Sequence, residues 1–285
     1  VTTSRLETLA TALANGLRAE LYLTPKPGLV DLRDNGAHPD LNLLLMCRSI
    51  RLVDGYLQEL AGALLRNAGP DELIAIGRQA EHTMIKQLGS NTHRGGIFLC
   101  GLILVAADQA NPDDPQALQQ SVIQIAAAFF AKREEQSSNG EQVRRQHPAA
   151  GIVTEALAGL PNLFDTILPI LNDPRTLEEP RRVYLALARL MQKVQDSTSL
   201  HRCGEQGLTL LRQAGARLEE CILGGHDPTH LLTQTNREFR RHNLTMGGVA
   251  DLLGVGLGYA GYLLSNLTYH QGYEEISPER KKAGI

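Results

Sequence analysis

Lys26 and Asp31 stand five positions apart in Thr24-Pro25-Lys26-Pro27-Gly28-Leu29-Val30-Asp31, a cation and a carboxylate on a backbone stiffened by two prolines and freed by one glycine. Proline fixes φ at about −65° and biases the residue before it away from the helical region, so Lys26 sits on a short extended arm whose direction the prolines help set. An ordinary loop has little use for that stiffness, although the motif alone does not separate a working lysine from a solvated one. Asn35-Gly36-Ala37-His38 and Asp40 follow closely. Four more polar clusters punctuate the chain: Ser90-Asn91-Thr92-His93-Arg94-Gly95-Gly96; Ser138-Asn139-Gly140 with Glu155; Asp196 to Gly204; and Arg241 to Asp251. Asp251 stands out, because a carboxylate in an otherwise apolar helix must find a cation, hydrogen bonds or a metal.

The elements that must position these residues read as helices. Leu6, Leu9, Leu13, Leu17 and Leu21 step by three or four, one helical stripe that ends at the Thr-Pro-Lys-Pro arm. Pro39 suits a first helical position for a long helix to about Arg66, and Pro70-Asp71 starts another that stops at Gly89. Further helical patterns run over about 95–110, 115–135, 149–159, 161–172, 180–195, 204–223, 227–241 and 246–267. No segment alternates with period two. The expectation is an all-α fold, a single compact multi-helix domain of about ten helices over residues 1–275, followed by a polar tail over 276–285. Each polar cluster lies at or beside a helix start, where unpaired N–H groups and the positive dipole end suit phosphate oxygens. Gly95-Gly96 would let a ligand approach the backbone. Arg133 to His147 is the most polar stretch and reads as a loop or lid.

Bulk properties exclude several classes. A net charge of −3, with scattered basic residues, leaves no electrostatic footprint for nucleic acid. Cys47, Cys100, Cys203 and Cys221 form neither a zinc spacing nor a disulfide framework, which fits a reducing cytoplasm. No secretory signal opens the sequence, and the apolar runs 97–107 and 244–264 read as buried helices, not membrane spans. There is no GK[ST] phosphate loop. Gly256-Leu257-Gly258-Tyr259-Ala260-Gly261 matches GxGxxG but follows no strand, so close helix packing accounts for it better than a dinucleotide. His226 and His230 have the spacing of a metal pair, yet Pro228 makes them straddle a helix start.

Taken together, Thr24 to Asp31, Asn35-Gly-Ala-His38 with Asp40, Asn91-Thr-His-Arg-Gly95 and Gly-Gly-Val-Ala-Asp251-Leu-Leu253 resemble the triphosphoribosyl-dephospho-CoA synthase family over nearly the whole chain. The chain departs from the family pattern at Cys203, where a glycine is usual, at Thr245-Met246 before Gly247-Gly248, and at Val153, where an arginine tends to precede Glu155. The resemblance implies a transferase that joins ATP to 3′-dephospho-CoA and releases adenine, making a prosthetic-group precursor for acyl carrier proteins of citrate lyase or malonate decarboxylase. It implies small-molecule nucleotide substrates and Mg²⁺, no nucleic acid or membrane partner, and leaves a homo-oligomer open. On that reading Lys26 and Arg94 bind phosphate, with Asn91, Gly95, Glu155, Asp196 and Arg202 as further substrate contacts. Asp31, Asp40 and Asp251 are the metal candidates, with Asp31 and Asp251 also candidate bases, and His93 or His38 handles protons. Two other readings stand beside it: a divergent homologue acting on the ribosyl group of another nucleotide, and a non-catalytic nucleotide- or CoA-binding partner protein.

Overall fold

The computed structural model describes residues 4–90, 92–131, 151–173 and 178–280, with side chains as far as Ser265. Among the described residues there are eleven α-helices, one π-helical stretch and no strand. The helices are α1 (Arg5–Tyr22), α2 (Leu43–Leu65), α3 (Pro70–Leu88), α4 (Arg94–Gln109), α5 (Pro115–Ala131), α6 (Ile152–Leu157), α7 (Leu168–Leu171), α8 (Arg181–Lys193), α9 (Ser197–Leu223), α10 (Thr229–Arg241) and α11 (Gly247–Arg280). The π-helical stretch, Asn162–Ile167, runs directly into α7. The predicted all-α class is therefore the observed one. Helix α11 continues through residue 275, where the sequence placed the start of a tail. The proposed lid at 133–147, the Ser138-Asn139-Gly140 cluster and Asn91 lie outside the described residues.

Local chemistry explains most boundaries. Ser4 caps α1 in a capping box, accepting from Glu7 N at 3.2 Å while its own N–H donates to Glu7 Oε2 at 2.8 Å. Helix α2 does not start at Pro39. Asn42 caps it instead, its Oδ1 accepting from Leu45 N at 3.0 Å, and residues 39–42 remain part of the preceding loop. The helix predicted from 204 begins seven residues earlier, at Ser197, and bends at Gly204, whose φ of 60° and ψ of −159° suit glycine alone. His226 and His230 flank the start of α10, both exposed.

One contiguous apolar core joins all of these helices. At its centre α1 and α11 pack at very short range. A Cβ on Gly16 would lie 2.2 Å from both Gly254 O and Gly258 N, and one on Gly258 would lie 2.7 Å from Ala12 O. Gly254 and Gly258 are thus helix-packing residues and Gly256 packs on Ile167, while Gly261 faces open space; all lie within one helix, with no dinucleotide turn around them. Gly247–Ser265 is long and apolar enough to cross a membrane, but a little over half of it is buried inside this fold. Tyr259 and Tyr262 tie the same helix to the α4–α5 connection, donating to Pro112 O at 2.8 Å and Asp113 Oδ1 at 2.9 Å.

Candidate active site

The loop between α1 and α2 folds back on itself around Asp31. The Asp31 carboxylate accepts from Lys26 N at 2.9 Å, Arg33 N at 2.7 Å and Asp34 N at 3.1 Å, so its oxygens are committed to holding the turn. Gly28, at φ 71°, has no room for a side chain, since a Cβ would meet Leu244 O at 2.5 Å. Its N–H donates to Asn236 Oδ1 at 2.9 Å, which fixes the arm against α10. The arm drives Lys26 inward until it is 1 % exposed. There Lys26 Nζ donates to Glu20 Oε1 at 2.5 Å and to Glu20 O at 2.6 Å.

Glu20 is a residue the sequence reading passed over. It sits on the core-facing stripe of α1, three residues after Leu17, and burial pushes its carboxyl upward, an effect the Lys26 charge opposes. The close glycine contact brings this part of α1 against the start of α11, where a Cβ on Gly254 would lie 3.5 Å from Glu20 Cβ. Asp251, on the first turns of α11, faces the same space. Burial raises its carboxyl well above the usual carboxylate range, and the nearby charges of Glu20 and Asp196 add to the rise; only the Gly96 N–H bond opposes it. A Cβ on Gly95 would lie 2.0 Å from Asp251 Oδ2, and one on Gly96 3.4 Å from Oδ1. The glycine pair at the start of α4 therefore makes room for a carboxylate of the protein itself, where the sequence suggested room for a ligand.

His93, 4 % exposed, precedes α4. Its Nδ1 lies 2.6 Å from Ser49 Oγ, whose hydrogen points to Met84 Sδ at 3.4 Å; Thr92 Oγ1 donates to the same Ser49 oxygen at 2.5 Å. The hydroxyls of Ser49 and Thr92 thus engage Nδ1 and leave Nε2 outside their chain of hydrogen bonds. Burial, helped by the Lys26 charge, lowers the His93 pKa to about 4. His38 is arranged differently. Arg202 Nη2 donates to its Nδ1 at 3.4 Å and its Nε2 lies 2.8 Å from Thr245 Oγ1, so both ring nitrogens are engaged. Burial, with Arg202 adding, lowers this pKa to about 4 as well.

The other predicted residues divide between frame and cavity wall. Asp196 is buried and caps two helices at once: Oδ1 accepts from Ser199 N at 2.7 Å at the start of α9, and Oδ2 from Val249 N at 3.0 Å at the start of α11. Arg202 Nη1 donates to Ala37 O at 2.9 Å. Glu155 accepts from Asn162 N and Nδ2, both at 2.8 Å, and burial raises its pKa. Arg94, the first residue of α4, lies 3.4 Å from Glu81 and is 40 % exposed. Asp40 is exposed on the rim.

Lys26, His38, Asp40, His93, Arg94, Gly95, Glu155, Asp196, Arg202 and Asp251 all line one cavity of about 1460 Å³, together with Glu20 and Lys193. Asp31 does not line it. Among the described residues no three His, Cys, Asp or Glu side chains converge as a metal cage. Mg²⁺ seldom needs one, since it is commonly held by one or two carboxylates with substrate phosphates and water completing the shell. Glu20 and Asp251 are the acids on the inner wall that fit such a role.

The fold is an all-helical bundle around a large cavity lined by charged groups. Residues 6–270 match the family described as ATP:dephospho-CoA triphosphoribosyl transferase, and the chain belongs to that family. A probable 2-(5″-triphosphoribosyl)-3′-dephosphocoenzyme-A synthase of Pseudomonas fluorescens is 35 % identical over 275 residues, covering 90 % of this chain and 91 % of the relative. A probable synthase of the same name from Azotobacter vinelandii is 33 % identical, covering 89 % and 91 %. The 2-(5″-triphosphoribosyl)-3′-dephosphocoenzyme-A synthase of Klebsiella pneumoniae is 32 % identical, covering 89 % and 94 %. No solved structure matches the chain.

Proposed function

We propose that this cavity joins ATP to 3′-dephospho-CoA, forming 2′-(5″-triphosphoribosyl)-3′-dephospho-CoA and releasing adenine. The observation that carries the reading is the cavity itself. At about 1460 Å³ it exceeds the roughly 300–1,000 Å³ of a site for one small ligand, and charged groups gather where residues distant in sequence meet. Two nucleotides must lie side by side in this reaction.

The bond that forms links the acceptor's ribose 2′ oxygen to C1 of the ATP ribose; the bond that breaks is the one to adenine, which leaves with the electron pair. Arg94, at the positive end of α4, with Lys193 and Arg202, supplies cationic contacts for phosphate oxygens. His93 Nε2 is the acceptor for the hydroxyl proton. An arriving triphosphate, carrying about four negative charges, raises the depressed His93 pKa and strengthens it as a base. Glu20 and Asp251 offset positive charge that develops on the ribose carbon. Asp251 would hold Mg²⁺, which would neutralise phosphate charge. Lys26 acts on this scheme through Glu20, holding the carboxylate ionised and fixed.

The product's use as a prosthetic-group precursor for an acyl carrier protein, in a citrate lyase or malonate decarboxylase system, and a cytoplasmic location belong to the same proposal. Incubation with ATP, Mg²⁺ and 3′-dephospho-CoA tests it, with adenine followed by chromatography and the product by mass. Adenine should appear only when both nucleotides are present, and chelation of Mg²⁺ should stop it. Adenine formed without acceptor would make the protein a hydrolase. Absence of adenine from the complete mixture would refute the reading.

A further inference from the structure

The cavity is not uniformly polar. Its wall along α4 changes character with distance from the helix start. Arg94, Phe98, Leu102, Val105 and Gln109 all line it and recur at three or four residues, so they form one stripe along the helix. Fifteen residues separate its ends, a span of roughly 22 Å. Charge is confined to the first turn of that stripe, and the next three positions are apolar. Helix α3 supplies the opposite gradient. Its Glu81 pairs with Arg94 and Arg78 lines the cavity one turn earlier, while Leu73 and Ile74 continue the wall beyond them without charge. Helix α5 closes the third side, where Phe129 and Phe130 stand 5.9 and 5.7 Å from Phe98, ring centre to centre.

We infer that this apolar annex between α3, α4 and α5 holds the pantetheine arm of the acceptor, with the acceptor's diphosphate at the α4 N-terminus and its thiol end toward Val105. Three features support that occupant. The annex is continuous with the charged chamber, so whatever fills it is attached to something held there. Its lining follows one helix for several turns, suiting an extended chain. It also carries no charged group among Phe98, Leu102 and Val105, so it suits an uncharged part of a substrate and not a phosphate. The uncharged parts on offer are the adenine rings and the acceptor's arm, and a stripe that runs roughly 22 Å along the helix fits an extended arm better than a single ring system. Specificity then has a physical source: ADP is the acceptor without that arm, and a lined apolar slot discriminates by tens-fold for the groups it surrounds.

This inference rests on the proposed acceptor, so affinity and turnover are read separately. Calorimetry on the full chain, with the ATP site filled by a β,γ-methylene analogue of ATP, measures binding of dephospho-CoA and of ADP. The wild-type protein should bind dephospho-CoA at least about tenfold more tightly than ADP. Phe98→Ala should weaken dephospho-CoA about tenfold and change ADP less than twofold. Val105→Phe, which fills the slot instead of emptying it, should do the same and guards against misfolding of the first variant. Equal affinity of the two acceptors for the wild type, or equal losses for both in the variants, would overturn the assignment. If dephospho-CoA and ADP bind as expected but no adenine is ever released, the annex stands and the proposed reaction falls.

Discussion

Replacing Lys26 by methionine isolates the energetics of the buried ion pair. Methionine keeps much of the aliphatic volume but removes the ammonium group that reaches Glu20 Oε1 at 2.5 Å and Glu20 O at 2.6 Å. The Glu20 side chain is 6 % exposed and its partner 1 %, so water replaces the lost bonds poorly. An ion left alone in such a place costs about 3–5 kcal/mol. At roughly 2–4 °C per kcal/mol, the melting temperature should fall by about 10 °C at pH 8. The sign of the pH dependence follows from the same geometry. Glu20 already has a raised folded pKa, and without Lys26 it rises further, so the folded state binds a proton that the unfolded state does not. The deficit should therefore shrink as pH is lowered from 8 toward 5. Removing the second charge as well, in Lys26→Met/Glu20→Leu, should restore most of the lost stability while adenine release stays abolished. Denaturant unfolding at several pH values, followed by circular dichroism, measures all of this. A single-variant loss below about 1 kcal/mol, or a double variant no more stable than the single one, would refute the pairing argument.

Other expectations come from the same wall of the cavity. Asp251→Asn should raise stability at pH 8 and flatten its fall between pH 5 and 8, because the acid it removes has a raised folded pKa and costs most when ionised; adenine release should be lost. Chemical denaturation across pH checks the first part and chromatography the second. Gly95→Ala places a Cβ 2.0 Å from Asp251 Oδ2, so it should cost about 1–3 kcal/mol and depress kcat, while Gly89→Ala, where a Cβ meets nothing but φ is 72°, should destabilise without a comparable loss of kcat. His93→Gln should slow turnover and also remove a stability change of opposite sign to that of Asp251. A histidine with a folded pKa of about 4 loses stability for the protein as pH falls from about 6.5 to 4, so the variant should be less acid-sensitive in that window.

The helical architecture was legible because its signals are local. The leucine stripe of α1, the proline that opens α3 and the glycine that closes it depend only on neighbours within a turn. Where the reading of boundaries slipped, a competing local bond decided: Asn42 supplies the cap that Pro39 lacks, and Gly204 bends α9 without ending it. The site was legible as a set of clusters but not as a set of contacts. Lys26 could be seen to point somewhere, yet its partner Glu20 hides inside an apolar stripe, and the only written trace is a carboxylate at the i+3 position from Leu17 where a core residue is due. Gly95-Gly96 read as space for a ligand because a glycine pair states that something approaches without stating what. The occupant, Asp251, lies over 150 residues away and could be identified only by folding the chain. Asp31 read as a metal or base candidate and Asp196 as either a substrate contact or a turn-forming residue, since the backbone N–H groups that occupy them belong to turns and helix starts that spacing alone does not orient.

The short contact of Gly16 with Gly254 and Gly258 has a further consequence for how the protein is made. Glu20 leaves the ribosome over 200 residues ahead of Asp251, so at about 5–20 residues per second the two are separated by some tens of seconds of synthesis. Throughout that interval the face of α1 that carries Gly16 has no α11 to cover it, and the buried acid lacks the wall it will share. A nascent chain can therefore acquire most of its helices while possessing no catalytic chamber at all. Helix α11 both covers α1 and brings Asp251 to the proposed chamber, so on this reading activity appears only when the fold is complete.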